Sequence, residues 1–349
     1  MSNPSLLAGL DIGGSKVLAV AVEIGEDDER PRVIEQVRLT TFQGPEGVVD
    51  TASRALTALA GRLTGRNGRH GGPAELFSGV GIGVPGLVDA ERGAVTHAVN
   101  LGVGPGGLAL ADRLQRRLNL PVVVENDVNA AACGVAAHLR LGRVDLAYLS
   151  IGTGLAAGIV LDGVLRRGPH NTAGEIGHIP VDPSGPLCAC GQHGCLEVLA
   201  SGSAIAARWP VRTIGENRSA DAVSPAIHPA QALFDAAAAG DPRAVVIRNE
   251  VAGHLAAAVR MLALTVDVDL VVLGGGVSEV GAPLLDAIAG ALDRQAEGSA
   301  FLRGLDLSSR LSLIPRDQPV AAVGAALLAR TEAAEVVAAD AETTEDVPA

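Results

Sequence analysis

The amino-acid sequence predicts a two-lobed α/β protein, and three observations support this prediction. The chain has 349 residues, which is enough for two domains. Short apolar runs typical of strands alternate along it with longer segments of helical composition. A unit of strand, glycine turn and strand occurs twice, near residue 6 and near residue 146. This weak internal repeat indicates two lobes of similar topology.

The first lobe is predicted to span residues 1–119 and to begin with a β-hairpin. Leu6 to Ile12 and Lys16 to Glu23 are apolar runs separated by a glycine turn, which is the pattern of two paired strands. Further strands are predicted at 33–40 and 80–84, and helices at 45–63 and 108–118. The strand at 80–84 ends at the turn dipeptide Pro85-Gly86.

The second lobe, residues 120–318, is predicted to be larger and more helical. Its predicted strands lie at 122–125, 146–151, 158–161 and 270–273, and its helices begin near residues 128, 230, 242 and 281. A last helix at about 319–336 is expected to pack back on the first lobe. Residues 338–349 are expected to form a disordered acidic tail, and the polar segment 211–229 a surface loop.

Composition excludes several classes of function. The net charge of −12 and the pI of about 5.1 argue against binding to a nucleic-acid backbone. Aromatic residues make up 2% of the chain, too few for a base-stacking platform. No secretory signal is visible and no apolar run reaches membrane-spanning length. We therefore expect a cytoplasmic protein with neither a nucleic-acid nor a membrane partner.

The first candidate site is the segment Gly9 to Lys16, where a strand ends and turns through two glycines. Backbone amides at Gly13 and Gly14 can approach a phosphate without side-chain interference. Asp11 could hold Mg²⁺ through water, while Ser15 offers a hydroxyl and Lys16 a cation. The alternative is a tight hairpin with a solvent-facing lysine. The order of glycines and lysine differs from that of a Walker loop.

Two further glycine turns follow apolar strands. Gly152-Thr153-Gly154 is placed to hold the other side of a polyphosphate, and Gly275 and Gly276 leave bare backbone for a nucleotide. Each turn alone is equally compatible with a plain hairpin or loop. The three glycine turns together favour a nucleotide site.

A cluster of acid and amide side chains, Glu125-Asn126-Asp127-Val128-Asn129, stands where a buried strand meets a helix. Asp127 could take a proton from an alcohol. The alternative function is capping of the helix, since Asn and Asp are favoured at that position.

The most specific motif combines Glu175-Ile-Gly-His178 with a loop that carries three cysteines. His178, Cys188, Cys190 and Cys195 have the composition of a closed, tetrahedral zinc site. The alternatives are buried free thiols, or His193 as the fourth ligand instead of His178. The isolated Cys133 is expected to serve core packing.

These motifs resemble those of the ROK sugar kinases and repressors, within the actin-like ATPase superfamily of hexokinases. The resemblance extends to about residue 330 and rests on six segments: Gly9 to Lys16, Gly81-Ile-Gly-Val-Pro-Gly86, Glu125-Asn-Asp127, Gly152 to Gly154, Glu175-x-Gly-His178 with the cysteine loop, and Gly274 to Gly276. It implies the two-lobed actin-like ATPase (ribonuclease H-like) fold. It also implies a sugar and ATP as substrates, Mg²⁺ and structural Zn²⁺ as cofactors, and a homo-oligomer, dimer or tetramer.

The resemblance also implies roles for single residues. Asp127 would be the catalytic base for the 6-hydroxyl of a hexose, and the sugar would be bound by Gly86, Asn100, Asn126, Glu175, His178 and Glu197. His178 would serve both sugar and zinc, because an imidazole has two ring nitrogens. The phosphates of ATP would lie on the three glycine turns.

The chain departs from the family pattern in the second phosphate turn, where Leu155-Ala156-Ala157 replaces further glycines, and in Ser15, where threonine is commoner. After Asn100 it has a glycine-rich stretch without the usual tryptophan. The expected activity is that of a glucokinase. The alternatives are an N-acetylglucosamine or N-acetylmannosamine kinase, a sugar-sensing repressor, or an inactive sugar-binding remnant.

Overall fold

The fold was analysed in a computed structural model, which describes residues 6–25, 30–67, 71–139, 144–211, 228–315 and 317–330. The predicted acidic tail at 338–349 and all but the ends of the predicted loop at 211–229 lie outside the described residues. Within the described residues, no helix combines the length and apolar character that crossing a membrane requires.

The chain divides into two compact units. The first comprises Met1–Arg143, Gly158–Ala173 and Pro319–Ala349, and the second comprises Val144–Ala157 and Gly174–Gln318. This division differs from the predicted one at residue 119. The first unit extends to residue 143 because the strand at 122–126 pairs with the strand at 77–84.

The secondary structure follows the predicted order with additional short elements. Strands are β1 (Leu6–Ile12), β2 (Lys16–Glu23), β3 (Arg32–Thr40), β4 (Phe77–Val84), β5 (Leu87–Asp89), β6 (Ala94–Thr96), β7 (Leu108–Ala109), β8 (Val122–Asn126), β9 (Leu146–Ile151), β10 (Leu155–Leu161), β11 (Val164–Leu165), β12 (Leu270–Gly274) and β13 (Leu311–Leu313). Helices are α1 (Gly44–Asn67), α2 (Pro73–Leu76), α3 (Leu110–Leu118), α4 (Asp127–Leu139), α5 (Leu196–Ala200), α6 (Gly202–Arg208), α7 (Pro229–Ala238), α8 (Pro242–Val266), α9 (Ala282–Ala296) and α10 (Ala300–Leu305).

The first unit is built on a five-stranded sheet in the order β3-β2-β1-β4-β8. β1 and β2 form the predicted antiparallel hairpin, with Asp11 opposite Leu18. β4 runs parallel to both β1 and β8. The carboxyl ends of these three strands therefore meet at one edge of the sheet, which is where ligands bind in open α/β sheets.

Two apolar layers cover this sheet. On one side, Leu10, Ile12 and Ile82 belong to a buried cluster that includes Leu56 and Leu59 of α1. On the other side, a helix at residues 320–330 packs against the sheet in a second cluster. A β-carbon built on Gly9 would lie 1.9 Å from the Ala322 carbonyl oxygen, and one on Gly81 would lie 1.7 Å from that of Ala325. Only glycine permits this close approach of the helix.

The second five-stranded sheet has the order β11-β10-β9-β12-β13. β12 runs parallel to β9 and to β13, as expected for strands joined by helical crossovers. β10 begins three residues earlier than predicted. Leu155 and Ala157 of this strand are buried in the core.

The long helix α8 shows how the local sequence sets the elements of the second unit. The Asp241 side chain accepts a hydrogen bond from the Ala244 amide at 2.9 Å and so caps the helix, and Pro242 occupies its first turn. The helix ends at Asp267, which has φ of 56°.

Candidate active site

Asp11 and Asp127 lie close together in the first unit, at the edge where β1 and β8 end. Burial and the negative charge of Asp127 together raise the pKa of Asp11 to about 7, against a lowering effect from Lys16. The predicted phosphate turn and the predicted base therefore lie at the same edge of the sheet. Two carboxylates that repel each other favour occupation of this place by a cation.

The glycine turn between β1 and β2 is held by hydrogen bonds on its carbonyl side. The Gly13 amide donates to the Lys16 carbonyl at 2.9 Å. The Thr41 hydroxyl donates to the Gly13 carbonyl at 2.8 Å, and the Gln43 side-chain amide donates to the Gly14 carbonyl. Ser15 and Lys16 themselves are exposed, as in both interpretations of this motif.

The predicted sugar segment lies directly against this turn. A β-carbon on Gly14 would be 2.8 Å from the Asn100 carbonyl oxygen, so glycine is required for the contact. Asn100 belongs to a 3-10 turn, Val99–Leu101, whose Leu101 is fully buried and whose Val99 is 83% exposed. The structure thus joins Asn100 to the phosphate turn.

The start of α4 shows which residue of the acid and amide cluster caps the helix. The Asn126 side-chain oxygen accepts hydrogen bonds from the amides of Val128 at 2.9 Å and Asn129 at 3.2 Å, which is the geometry of a cap. The Asn126 side-chain nitrogen donates to the Gly86 carbonyl at 3.2 Å. Asn126 therefore caps the helix, and Asp127 lies in its first turn, close to Asp11.

One side-chain contact at this edge was missed by the sequence analysis. Glu125 is the only charged residue among the buried residues that the structure describes. Its carboxylate pairs with Arg167 at 2.5 Å. Nothing in the sequence connects these residues, which are 42 positions apart. A charged residue within an otherwise apolar strand was the one feature that pointed to a buried ion pair.

In the second unit the four predicted zinc ligands form one cluster. Donor atoms of His178, Cys188, Cys190 and Cys195 all lie within 4.8 Å of one another. His178 Nδ1 is 3.6 Å from Cys188 Sγ, and Cys190 Sγ is 3.6 Å from Cys195 Sγ. These separations match the edges of a zinc–sulfur tetrahedron, about 3.8 Å for a bond length of 2.3 Å. The donor set therefore fits Zn²⁺.

The loop around these residues selects one of the two histidines. Gly191 and Gly194 have φ of 89° and 66° and let the backbone wrap the sulfurs. His193 is exposed, and its Nδ1 lies 3.0 Å from the Gly185 carbonyl oxygen, outside the cluster. Hydrogen bonds from the Gln192 backbone and side chain lower the pKa of Cys190 to about 6, which favours the thiolate that binds metal.

The remaining predicted ligands of the second unit lie next to this loop or to the second glycine turn. The other ring nitrogen of His178, Nε2, is 4.0 Å from the Glu175 carboxylate. Glu197 accepts a hydrogen bond from the Leu155 amide at 3.1 Å, and a β-carbon on Gly154 would meet the same carboxylate at 2.5 Å. Glu197 therefore links the helix after Cys195 to the turn Gly152-Thr153-Gly154.

The third glycine segment lies next to the second. Gly275 has φ of 79°, and a β-carbon there would be 2.6 Å from the Ile151 carbonyl oxygen. Gly276 begins a 3-10 helix, Gly276–Val280, which precedes α9. The bare backbone predicted after β12 is thus held against the end of β9.

Comparisons with known proteins identify the family and relatives of this chain. The family model described as the ROK family matches residues 7–332. The glucokinase of Halalkalibacterium halodurans is 34% identical over 305 residues, which covers 84% of this chain and 88% of that protein. The N-acetylmannosamine kinase of Escherichia coli is 32% identical over 269 residues, which covers 77% and 82%.

A solved structure gives the same result at the level of the fold. The crystal structure of a ROK family glucokinase from Streptomyces griseus, in complex with glucose and AMPPNP, superimposes with a TM-score of 0.71 and 33% identity. The alignment covers 94% of this chain and all of that one.

Proposed function

Since this chain belongs to the ROK family, we propose that it is an ATP-dependent sugar kinase that phosphorylates the 6-hydroxyl of glucose. The observation that carries the proposal is the placement of Asp127 beside Asp11 and the first glycine turn. A base and a phosphate-binding turn at one sheet edge are the two parts that phosphoryl transfer to an alcohol requires.

Asp127 is the proposed catalytic base. As the sugar oxygen attacks the γ-phosphorus of ATP, the hydroxyl proton passes to the Asp127 carboxylate and the bond to the β-phosphate oxygen breaks. The Asn126 side-chain nitrogen has two hydrogens, and Gly86 accepts one of them. The second hydrogen is available to a neighbouring hydroxyl of the sugar, which would hold the 6-hydroxyl against Asp127.

The charge of the phosphates would be balanced by side chains and backbone amides of the glycine turns. Ser15 and Lys16 are exposed at the first turn, and the turns at Gly152 and Gly275 supply backbone amides. The carboxylate of Asp11, which lies near the charge of Asp127, fits Mg²⁺, because Mg²⁺ prefers oxygen ligands and is bound in proteins by one or two carboxylates and water. When bound, Mg²⁺ would neutralise phosphate charge during the transfer.

Zinc is proposed as a structural ion held by His178 and the three cysteines. All four positions would be filled by protein ligands, so the metal has no open position for catalysis. Its effect would be to fix the ring of His178, whose Nε2 points toward Glu175. Glu175, His178 and Glu197 are the proposed ligands of the remaining sugar hydroxyls.

An N-acetylhexosamine kinase is the second candidate, and the Escherichia coli relative favours N-acetylmannosamine as the substrate in that case. We further propose that the protein is a cytoplasmic homo-oligomer, as its resemblance to ROK sugar kinases implies.

The experiment is a coupled ADP-release assay with Mg²⁺ and ATP across glucose, N-acetylglucosamine, N-acetylmannosamine, mannose and fructose. Turnover with one sugar, reduced about 10²–10⁴-fold by Asp127→Asn, is expected because the variant keeps the shape but loses the base. Asp112→Asn, an exposed carboxylate on α3, is the matched control. No turnover with any sugar from folded, zinc-loaded protein would refute the kinase assignment.

A further inference from the structure

Glu125, close in sequence to the proposed base, makes four contacts. It lies in β8 two residues before Asp127, and only 2% of its surface is exposed. One carboxylate oxygen accepts hydrogen bonds from the Asn126 amide at 2.9 Å and from the Asn129 side-chain nitrogen at 3.0 Å. The other oxygen accepts one from Arg167 Nε at 2.5 Å. The fourth contact is electrostatic, with Cys133 on α4.

Arg167 is the cation that balances this buried carboxylate. It follows β11 within the segment Gly158–Ala173, which belongs to the first unit. Its carbonyl accepts a hydrogen bond from the Ala173 amide at 3.1 Å, and Gly168 after it has φ of 72°. The arginine is therefore held by a defined loop. A buried carboxylate without its partner is strongly destabilised.

The thiol of Cys133 carries no charge that could disturb the ion pair of Glu125 and Arg167. Burial and the charge of Glu125 together raise the pKa of the Cys133 thiol to about 12, against a lowering effect from Arg167. The thiol is neutral at physiological pH and adds no charge to the pair. Among the described residues, Arg167 is the cation that forms an ion pair with Glu125.

The contacts of Glu125 lead to both sides of Asp127. Glu125 accepts a hydrogen bond from the amide of Asn126, which precedes Asp127 in the chain, and another from the side chain of Asn129, which follows it. The Val128 amide closes the arrangement by donating to the side chains of both Asn126 and Asp127 at 2.9 Å. We propose that Arg167 is a positioning residue for catalysis, which fixes the Asp127 carboxylate through Glu125 and the first turn of α4. This inference rests on the proposed kinase function.

The first test compares Arg167→Met, Arg167→Lys and the neighbouring control Arg166→Met in the ADP-release assay. Arg166 is exposed and donates to the Leu161 carbonyl, so its removal leaves Glu125 unchanged. Arg167→Met is expected to lower kcat about 10–100-fold per folded molecule, with the KM for ATP within about twofold, because small displacements of a catalytic group reduce rates by this much. Arg167→Lys should recover part of kcat.

A double variant separates positioning from simple loss of structure. Glu125→Gln combined with Arg167→Met removes both charges and keeps an oxygen that can accept from Asn126 and Asn129. Its kcat is expected to exceed that of Arg167→Met alone at least about fivefold, because no unpaired buried charge remains. A double variant whose kcat is no higher than that of Arg167→Met would overturn the proposal. So would equal kcat in Arg167→Met and Arg166→Met.

Hydrogen exchange tests the same geometry without turnover. The Val128 and Asn129 amides both donate to Asn126, so their exchange reports how firmly the first turn of α4 is held. In Arg167→Met these two amides are expected to exchange at least about tenfold faster than in Arg166→Met. Unchanged exchange would overturn the positioning role, whether or not the wild-type protein phosphorylates a sugar. If exchange is faster but the wild-type protein phosphorylates no sugar, the kinase assignment fails and the contact between Arg167 and the first turn of α4 stands.

Discussion

Replacing Asp11 by asparagine should stabilise the ligand-free protein while it abolishes activity. In the folded protein the pKa of Asp11 rises from 3.8 to about 7, because of burial and the charge of Asp127. The folded state therefore holds the proton more tightly than the unfolded state. The free energy of unfolding therefore falls as the pH rises from about 4 to about 7. Above the folded-state pKa, the loss of stability caused by Asp11 is complete.

The size of this effect follows from the shift. Three pKa units correspond to about 4 kcal/mol at pH 8 and to roughly half of that at pH 5.5. Because Asp11 is only half-buried, solvent screening reduces the expected gain to about 2 kcal/mol at pH 8. For a unit of this size the gain corresponds to about 4–8 °C in Tm.

The assay is thermal unfolding of wild type, Asp11→Asn and the exposed control Glu91→Gln at pH 5.5 and pH 8 without Mg²⁺. The gain in Tm should appear only in Asp11→Asn and should be about twice as large at pH 8. The same variant should lose at least about 10²-fold in kcat/KM for MgATP, since it removes a charge proposed to hold the cation. A Tm that is unchanged, or raised equally at both pH values, would refute the electrostatic reasoning.

Three further predictions concern packing, metal and substrate binding. Gly81→Ala should destabilise the protein by about 3 kcal/mol or more in chemical denaturation, because its β-carbon would lie 1.7 Å from the Ala325 carbonyl oxygen. Gly79→Ala on the same strand, whose β-carbon would have nothing nearer than 3.7 Å, should cost less than about 1 kcal/mol. Equal losses of stability in the two variants would contradict this packing. Cys190→Ser should lower the zinc content measured by mass spectrometry from about one ion per chain and lower Tm; a full complement of metal in the variant would show that the ion lies elsewhere. Glu197→Ala should raise the KM for both sugar and ATP, since this carboxylate also binds the turn after β9; a change in neither constant would remove Glu197 from the site.

Local patterns in the sequence were sufficient to predict most elements of the fold. The hairpin of β1 and β2 was predicted with the bounds that the structure shows, because two apolar runs on either side of a glycine turn define both strands and the turn. The clustering of His178 with the three cysteines was predictable for a similar reason. Three cysteines and a histidine within a short loop leave few ways to arrange a tetrahedron.

Contacts between residues far apart in the sequence could not be predicted. The pairing of Glu125 with Arg167 depends on where a loop 42 residues later returns. The requirement for glycine at position 81 depends on a helix some 240 residues further along the chain. The start of β10 at Leu155 was missed because Leu-Ala-Ala has no strand periodicity of its own, and burial against the core decides its conformation.

The position of the helix at 320–330 has a consequence for synthesis on the ribosome. β1 and β4 are made early, but the helix that covers one face of their sheet is made after more than 200 further residues. At about 5–20 residues per second, that face stays uncovered for at least about ten seconds in each round of translation. During this interval the nascent chain exposes Leu7, Val20 and Val22, a surface that holding chaperones bind. The β1 strand, which ends at the phosphate turn, gains its final support only when residue 330 has left the exit tunnel.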